Sequence, residues 1–522
     1  MGGGASTLRG MFAPRGLADT VAKDVAERAR KVQLHELRSA GVSQATRITK
    51  TEHRAITVPQ LNRVLKYIDD HCVAEGWTST NPNLQKQALD PKAINLYDLV
   101  YWLVKPATYQ DQCSYVELVA ESVQPPRWFV SHWWGEATAD FIRCLGQHLS
   151  DRKLPKDSAY WVCAYANNQW DLGGDVNVDP AESSFRKAMN EAQGTVTVLD
   201  AGRVTYTRVW CIYEIFISLI CPEREGGGRY LYDIYTTITE SVVGLTDGAA
   251  ECDMEDQPEY ASYNKNLREE GFPLESGLAV LDFNLTDAKA TQESDRKHIL
   301  NSIVGRAGEQ LEETPLAKHE RYEQVNRLLR GRLAQGIFRL AIDHDSKETE
   351  RLVKTISDSG LKEVHLSFAS CKKAYITALA DALSFGLQRV DLNLCHSDLR
   401  AEGAKLIFAA LRKCRELHSL RLDLGYNRIG DEAYAAALAD GLPSSLQQLD
   451  LILEMSCLGT KGAKALFAAL RGCLKLSSLE LGLRGNKIGD EGKEAAQELE
   501  AELKQRCKQV IIWTGQTYPG YG

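Results

Sequence analysis

No apolar run in this 522-residue chain reaches the roughly 18 residues that a membrane span requires, and the N-terminus carries no apolar core of a secretory signal. Both absences predict a soluble, cytoplasmic protein. CxxC pairs are missing too. The thirteen cysteines stand singly, Cys72, Cys113, Cys144, Cys163 and Cys211 among them, which fits reduced thiols better than a disulfide framework or a zinc site. Lys/Arg clusters interleaved with aromatics are absent, and the net charge is -8 with a pI near 5.9, so nucleic acid is not an expected partner. The chain also lacks a GxxxxGK[ST] phosphate loop, which excludes nucleotide motors of that class.

What is present is globular: 44% hydrophobic and 25% charged residues, in a chain too long for one ordinary core. The expected organisation is an N-terminal helical region with a flexible leader (1–120), an α/β domain with an acidic insertion near 240–275 (121–305), a helical connector (306–345), repeats (346–513) and a tail (514–522). The opening Met1-Gly2-Gly3-Gly4-Ala5-Ser6 fits N-myristoylation of Gly2, and fits a frayed glycine-rich leader as well. A single acyl chain anchors only marginally, so peripheral membrane attachment is expected only if Gly2 is lipidated.

Apolar positions at Leu17, Val21, Val25 and Val32 predict an amphipathic helix over 14–40. A second helix starts at a Thr57 cap with Pro59 in its first turn and buries Leu61, Val64, Leu65, Ile68 and Cys72. A third runs from Asn95 and stops at Lys105-Pro106. From residue 127 short β-rich runs (127–132, 160–165, 195–199, 230–235) alternate with helical stretches at 139–149, 183–192 and 209–220. That alternation predicts a parallel sheet covered on both faces, with its ligand crevice beyond the carboxyl ends of the strands. Leu278 to Leu281 reads as one more strand, Asp295 to Val304 as a helix, and a long charged helix opens at Thr314-Pro315.

The fragment L-x-x-[LV]-x-L recurs at Leu361, Leu387, Leu417, Leu446 and Leu476, in steps of 26, 30, 29 and 30 residues, and each copy precedes a helical stretch. Five strand-plus-helix units of this length predict a stacked solenoid. Asn427 and Asn486 keep the turn asparagine while Ser397 and Ser456 replace it, and the pattern resembles ribonuclease-inhibitor-type leucine-rich repeats, as found in cytoplasmic immune receptors. Strand alternation puts His365, Asp391, Arg421, Asp450 and Glu480 in one row on the concave face. Two readings of that row stand: a stripe that binds a protein partner, or solvated polar side chains.

Three landmarks between Arg127 and about Leu219 resemble a TIR domain: Phe129-Val130-Ser131-His132 as first strand, Ser183 to Met189 as the helix before the fourth strand, and Trp210-Cys211-Ile212-Tyr213-Glu214 as the WCxxE motif. The fold class expected for the whole chain is therefore α/β: an N-terminal helical region, a TIR-like parallel-sheet domain and a C-terminal leucine-rich-repeat solenoid. The resemblance implies homotypic association, or cleavage of the nicotinamide–ribosyl bond with NAD as substrate and no resident cofactor or metal. It implies a catalytic carboxylate at Glu182, which would stabilise an oxocarbenium-like ribosyl cation. Glu182 also suits a helix N-terminus through the dipole alone.

His132, Trp133, Trp134, Asn168 and Trp170 follow predicted strands and are the expected nucleotide-pocket residues, with core packing as the competing role for the rings. Arg208 stands where many TIR domains have Ser before the WC pair. A Cys-His hydrolase using Cys163 or Cys211 with His132 is a further alternative. Function is expected to be that of an intracellular signalling or receptor-like protein; NAD nucleosidase activity and a non-catalytic scaffold are the alternatives.

Overall fold

The computed structural model describes residues 18–84, 86–172, 177, 179–220, 230–238, 241–255, 261–342, 346–367, 374–383, 386–438 and 442–515. Gly2 and Leu17 lie outside the described residues. The chain divides into two compact units, one of residues 1–252 with 271–326 and one of residues 253–270 with 327–522.

In the first unit the predicted second helix spans Val58–His71. Thr57 caps it in a reciprocal box: its hydroxyl accepts the Gln60 N–H at 3.4 Å and the Gln60 side chain accepts the Thr57 N–H at 2.9 Å. Leu61, Val64 and Ile68 are buried. The 14–40 stretch is broken, forming a helix over Ala18–Ala29 and a turn over Leu34–Leu37. The third helix does not stop at Lys105-Pro106. It widens into a π turn over Val100–Val104 and resumes over Lys105–Ala107. Pro106 lacks an N–H, and the switch in hydrogen-bond spacing at the π turn is where that loss is tolerated.

A six-stranded sheet follows: β1 (Ile56–Thr57), β2 (Trp128–Ser131), β3 (Ala159–Trp161), β4 (Gly194–Leu199), β5 (Leu231–Thr236) and β6 (Val243–Leu245), in the order β1-β3-β2-β4-β5-β6. The central pairs β3/β2, β2/β4 and β4/β5 are parallel, and β1 and β6 close the edges antiparallel. Helices Thr138–Asp151 and Val209–Ile220 cross over from β2 to β3 and from β4 to β5. The chain thus winds outward in both directions from the β2/β4 pair, which makes that pair the topological switch point. β2 and β4 are buried along their whole length. Gly194 is required at the base of β4, because a Cβ there would lie 2.5 Å from the Leu231 carbonyl oxygen and 2.6 Å from the Trp128 ring.

Two strand expectations are corrected. The 160–165 run is a strand only through Trp161 and turns into a short helix, Cys163–Ala166. Leu278 to Leu281 is not a strand: the helix Leu274–Val280 occupies it, and β6, inside the stretch read as an insertion, completes the sheet. A four-residue apolar run has too little periodicity to separate strand from helix.

In the second unit, β7 (Glu363–Ser367), β8 (Arg389–Asn393), β9 (Ser419–Asp423), β10 (Gln448–Ile452), β11 (Ser478–Gly482) and β12 (Gln509–Trp513) form a sheet in strict sequence order, parallel throughout. Helices such as Arg400–Lys413, Thr460–Gly472 and Gly489–Lys504 return the chain between strands. The fifth repeat is followed by a sixth strand, β12, that carries no leucine signature. Val390, Leu392, Leu420, Leu422, Leu449, Leu451, Leu479 and Leu481 are buried on one face, and the residues between them are not. Ahead of the repeats, the charged helix spans Glu320–Ile342 and buries Tyr322, Val325, Leu329 and Leu333; it begins six residues after Thr314.

Candidate functional site

The first unit carries a cleft of about 60 Å³ where the chain leaves β2 and β3, the end of a parallel sheet at which ligands bind. Its rings are Tyr97, His132, Trp133, Trp134, Phe185 and Trp210, and its polar groups include Arg208, Glu214, Lys289 and Asp295. The volume holds a few waters or the edge of one ring, and not a whole dinucleotide.

Several segments clamp the loop after β2. The Trp134 carbonyl accepts the Leu96 N–H at 2.9 Å, and the Thr138 N–H reaches the Ile94 carbonyl at 2.7 Å. Trp133 folds back over Gly135, whose missing Cβ would lie 2.2 Å from the indole ring, so any side chain at 135 displaces Trp133. The Trp134 indole N–H points into the protein and donates to Cys163 Sγ at 3.1 Å, fixing this ring as packing. Trp210, in the first turn of Val209–Ile220, stacks on Phe185 with ring centroids 4.9 Å apart. Arg208 and Lys289, also in the lining, pair through their backbones, and the Arg208 guanidinium donates to Thr291 Oγ1 at 2.6 Å.

The buried titratable groups are shifted by desolvation. Ser131 Oγ donates to Glu214 Oε2 at 2.5 Å, and burial pushes the Glu214 carboxyl up to about 8 in spite of that bond. Burial lowers His132 to about 4 and raises the Cys163 thiol to about 12, so a neutral imidazole faces a protonated thiol across 4.0 Å. Cys211 donates to the His132 carbonyl oxygen at 3.5 Å, not to the ring, and burial holds its thiol well above the ordinary range. A thiolate–imidazolium pair is therefore not formed, and the geometry does not fit the Cys-His hydrolase alternative.

His132, Trp133 and Trp134 come together with Trp210, Cys211 and Glu214 around this cleft. Asn168 and Trp170 do not line it. Asn168 Nδ2 donates to the Gln112 carbonyl at 2.8 Å, Trp170 Nε1 donates to Thr108 Oγ1 at 2.9 Å, and Lys105 Nζ lies 4.9 Å from the Trp170 ring, so both residues face the 105–112 segment. Glu182 is exposed, at the end of the 3-10 turn Pro180–Glu182, and it too is outside the cleft lining. The cap of the next helix is Ser183, whose Oγ accepts the Arg186 N–H at 3.3 Å, so Glu182 stands one residue ahead of the helix N-cap.

The residue sequence reasoning missed is Asp295, which is 3% exposed on the helix Glu293–Ile303. It is more than 80 residues from Cys211, and no local pattern marks it.

On the second unit the sheet register aligns His365, Asp391, Arg421, Asp450, Glu480 and Ile511 as successive partners. Arg421 Nε lies 3.2 Å from Asp450 Oδ2, and His365 Nδ1 lies 3.4 Å from Asp391 Oδ2. Burial raises the Asp450 carboxyl, Arg421 opposes that rise, and Glu480 and Asp391 add to it. The row is acidic on balance. Among the described residues, no group of three or more His, Cys, Asp or Glu side chains is arranged to hold a metal ion, and no helix is long and apolar enough to cross a membrane.

A Leucine Rich repeat family model matches residues 416–433, which span β9, the Asn427 turn and the start of the helix after it. Comparison with curated proteins finds no match. The repeat match supports leucine-rich repeats in this part of the chain and, with them, protein binding of a general kind.

Proposed function

We propose that the chain is an intracellular signalling or receptor-like protein whose repeats stack into a solenoid that captures a protein partner on its concave strand face. The observation that carries this reading is the unbroken register, which sets one residue from each of six strands in a single row. Five of the six are polar or charged, and acids outnumber bases, so the partner segment carries Lys or Arg side chains. Extended strand faces of this kind offer more area than any one loop. Affinity capture with the full chain and with an Asp391→Lys/Glu480→Lys double variant tests it. Proteins retained by the first and lost from the second support the reading; an identical set from both rejects it.

In the same proposal the first unit is a TIR-like domain that relays partner capture by homotypic association. A second reading, NAD nucleosidase activity, rests on the ring-lined cleft, which admits the edge of one ring of NAD and not the whole molecule, with Asp295 on its wall. The exposed Glu182 does not favour it. Following nicotinamide release from NAD beside Glu182→Ala separates the readings: turnover lost in the variant makes Glu182 the catalytic carboxylate, equal turnover removes it, and no turnover from either leaves a non-catalytic scaffold.

A further inference from the structure

We propose that a ledge formed by His396, Tyr426 and Met455, where the chain leaves three successive repeat strands, takes the large apolar side chains of an extended protein segment whose Lys or Arg side chains lie on the acidic strand row. The inference rests on the partner-capture reading of the repeats and names the partner's chemistry: basic and apolar residues together, where the row alone asks only for charge.

The ledge follows from the register. Leu392, Leu422, Leu451 and Leu481 are successive partners, so the positions four residues on in each repeat, 396, 426, 455 and 485, stand in line. The backbone holds them there: the N–H groups of His396, Tyr426 and Met455 donate to the carbonyls of Gly425, Glu454 and Arg484 at 3.1, 2.7 and 2.9 Å. All four positions have positive φ, 57°, 55°, 50° and 68° in chain order. Gly485 adopts that conformation freely, whereas a Cβ disfavours it, and asparagine or aspartate is the usual substitute. Tyr426 and Met455 thus keep large side chains against local preference, which points to a use for those side chains.

Core packing does not account for them. Tyr426 is 42% exposed, Met455 is 51% exposed, and His396 is exposed as well. The His396 and Tyr426 rings stack with centroids 4.3 Å apart, and Met455 folds over Gly485, where a Cβ would collide with its thioether. Partial burial lowers His396 below its ordinary value, so the ledge is uncharged at neutral pH. Tyrosine and methionine are residue types that protein interfaces favour. Charge chooses the rest of the occupant. On the strand side, burial raises the Asp423 carboxyl to about 6, Glu454 and Asp450 add to the rise, and Arg421 opposes it. A Lys or Arg side chain relieves that crowding while a neighbouring apolar residue of the same segment meets the ledge. Two residues past the ledge stand exposed Arg428 and Lys487, so the basic residue is accepted on the strand side alone.

The test selects a random-peptide phage library on the full chain, then measures the affinity of the best synthetic peptide for the full chain, for Asp391→Lys/Glu480→Lys and for Tyr426→Gly/Met455→Gly. Glycine takes the left-handed φ without penalty, so the last variant keeps its turns, which an unlowered urea midpoint verifies. Tyr426→Asn/Met455→Asn, which also suits this φ, is read in its place if the midpoint falls. Selected peptides that combine Lys or Arg with a large apolar residue, and bind the ledge variant at least about tenfold more weakly, are expected. Selected peptides without a large apolar residue, equal affinity for the ledge variant, or no selection at all overturns the proposal. The two variants separate this proposal from the reading beneath it: a loss confined to Asp391→Lys/Glu480→Lys keeps the row and removes the ledge, and a loss confined to the ledge variant keeps the ledge and removes the row.

Discussion

Asn427 closes the turn at Ser397, one repeat earlier in the chain: its Oδ1 accepts the Ser397 N–H at 3.0 Å and the Leu399 N–H at 3.1 Å. Its Nδ2 donates to the carbonyls of Leu394, Leu424 and Gly425 at 2.8, 3.0 and 3.2 Å. Asn486 does the same for Ser456 and Leu458. One asparagine thus serves two turns, which is why the matching positions 397 and 456 carry serine without loss of the strand-to-helix connection.

Asn427→Ala strips both the donor and the acceptor set from a fully buried site and leaves backbone groups of two repeats unpaired. We expect a loss of about 2–4 kcal/mol, seen as a lower urea midpoint with an unchanged slope. Ser397→Ala, which removes an Oγ donor to the Cys395 carbonyl at 3.3 Å and leaves the Asn427 contacts to the backbone in place, should cost under about 1.5 kcal/mol.

In the first unit the Asp233 carboxylate lies between a guanidinium and an imidazole that burial holds toward its neutral form. Arg152 donates to both of its oxygens at 2.8 and 2.7 Å, and His148 Nε2 lies 3.2 Å away. Although burial pushes the Asp233 carboxyl up, the Arg152 guanidinium and the His148 contact hold it well below the ordinary carboxylate range. Asp233→Asn leaves buried Arg152 with only the more distant, half-exposed Glu251 carboxylate at 3.7 Å and should cost about 3–5 kcal/mol. Asp140→Asn, which breaks the half-exposed pair with Arg143, should cost no more than about 1 kcal/mol in the same thermal unfolding assay.

Parts of this architecture are legible in the amino-acid order and parts are not. Leucine spacing predicts the first five strands of the repeat sheet because burial on one face demands it at every second residue. β12 escapes, since Val510 and Ile512 stand where leucines stand elsewhere. Around the cleft, the residues that follow β2 and the WCxxE helix are found from their place after strands. Asn168 and Trp170 meet the same criterion yet turn toward residues 105–112, because Cys163–Ala166 coils into a helix and redirects the chain. Asp295 reaches the cleft through tertiary packing alone.

Stability should depend on pH through Glu214. The fold keeps this carboxyl protonated up to about 8 against an ordinary 4.5, so between those values the folded chain holds a proton that the unfolded chain has released. Stability then falls as pH rises, by up to about 1.4 kcal/mol per unit, and levels off above pH 8. His132, lowered by burial to about 4 from 6.5, acts in the opposite direction below 6.5, which makes the interval from there to 8 the informative one. Glu214→Gln should flatten the slope in that interval; a wild-type slope unchanged by the substitution contradicts the assignment.

The claim that the strand face of the repeats is the interaction surface is tested most directly by measuring affinity for a captured partner with charges reversed on a strand face and on a helix of the repeats. Asp450→Lys with Glu480→Lys alters the aligned row, and Glu402→Lys alters an exposed helix position. A loss of about thirtyfold or more, or about 2 kcal/mol, confined to the row variant is the predicted result. Equal affinity for the row variant and the wild-type chain, or a loss confined to Glu402→Lys, contradicts it.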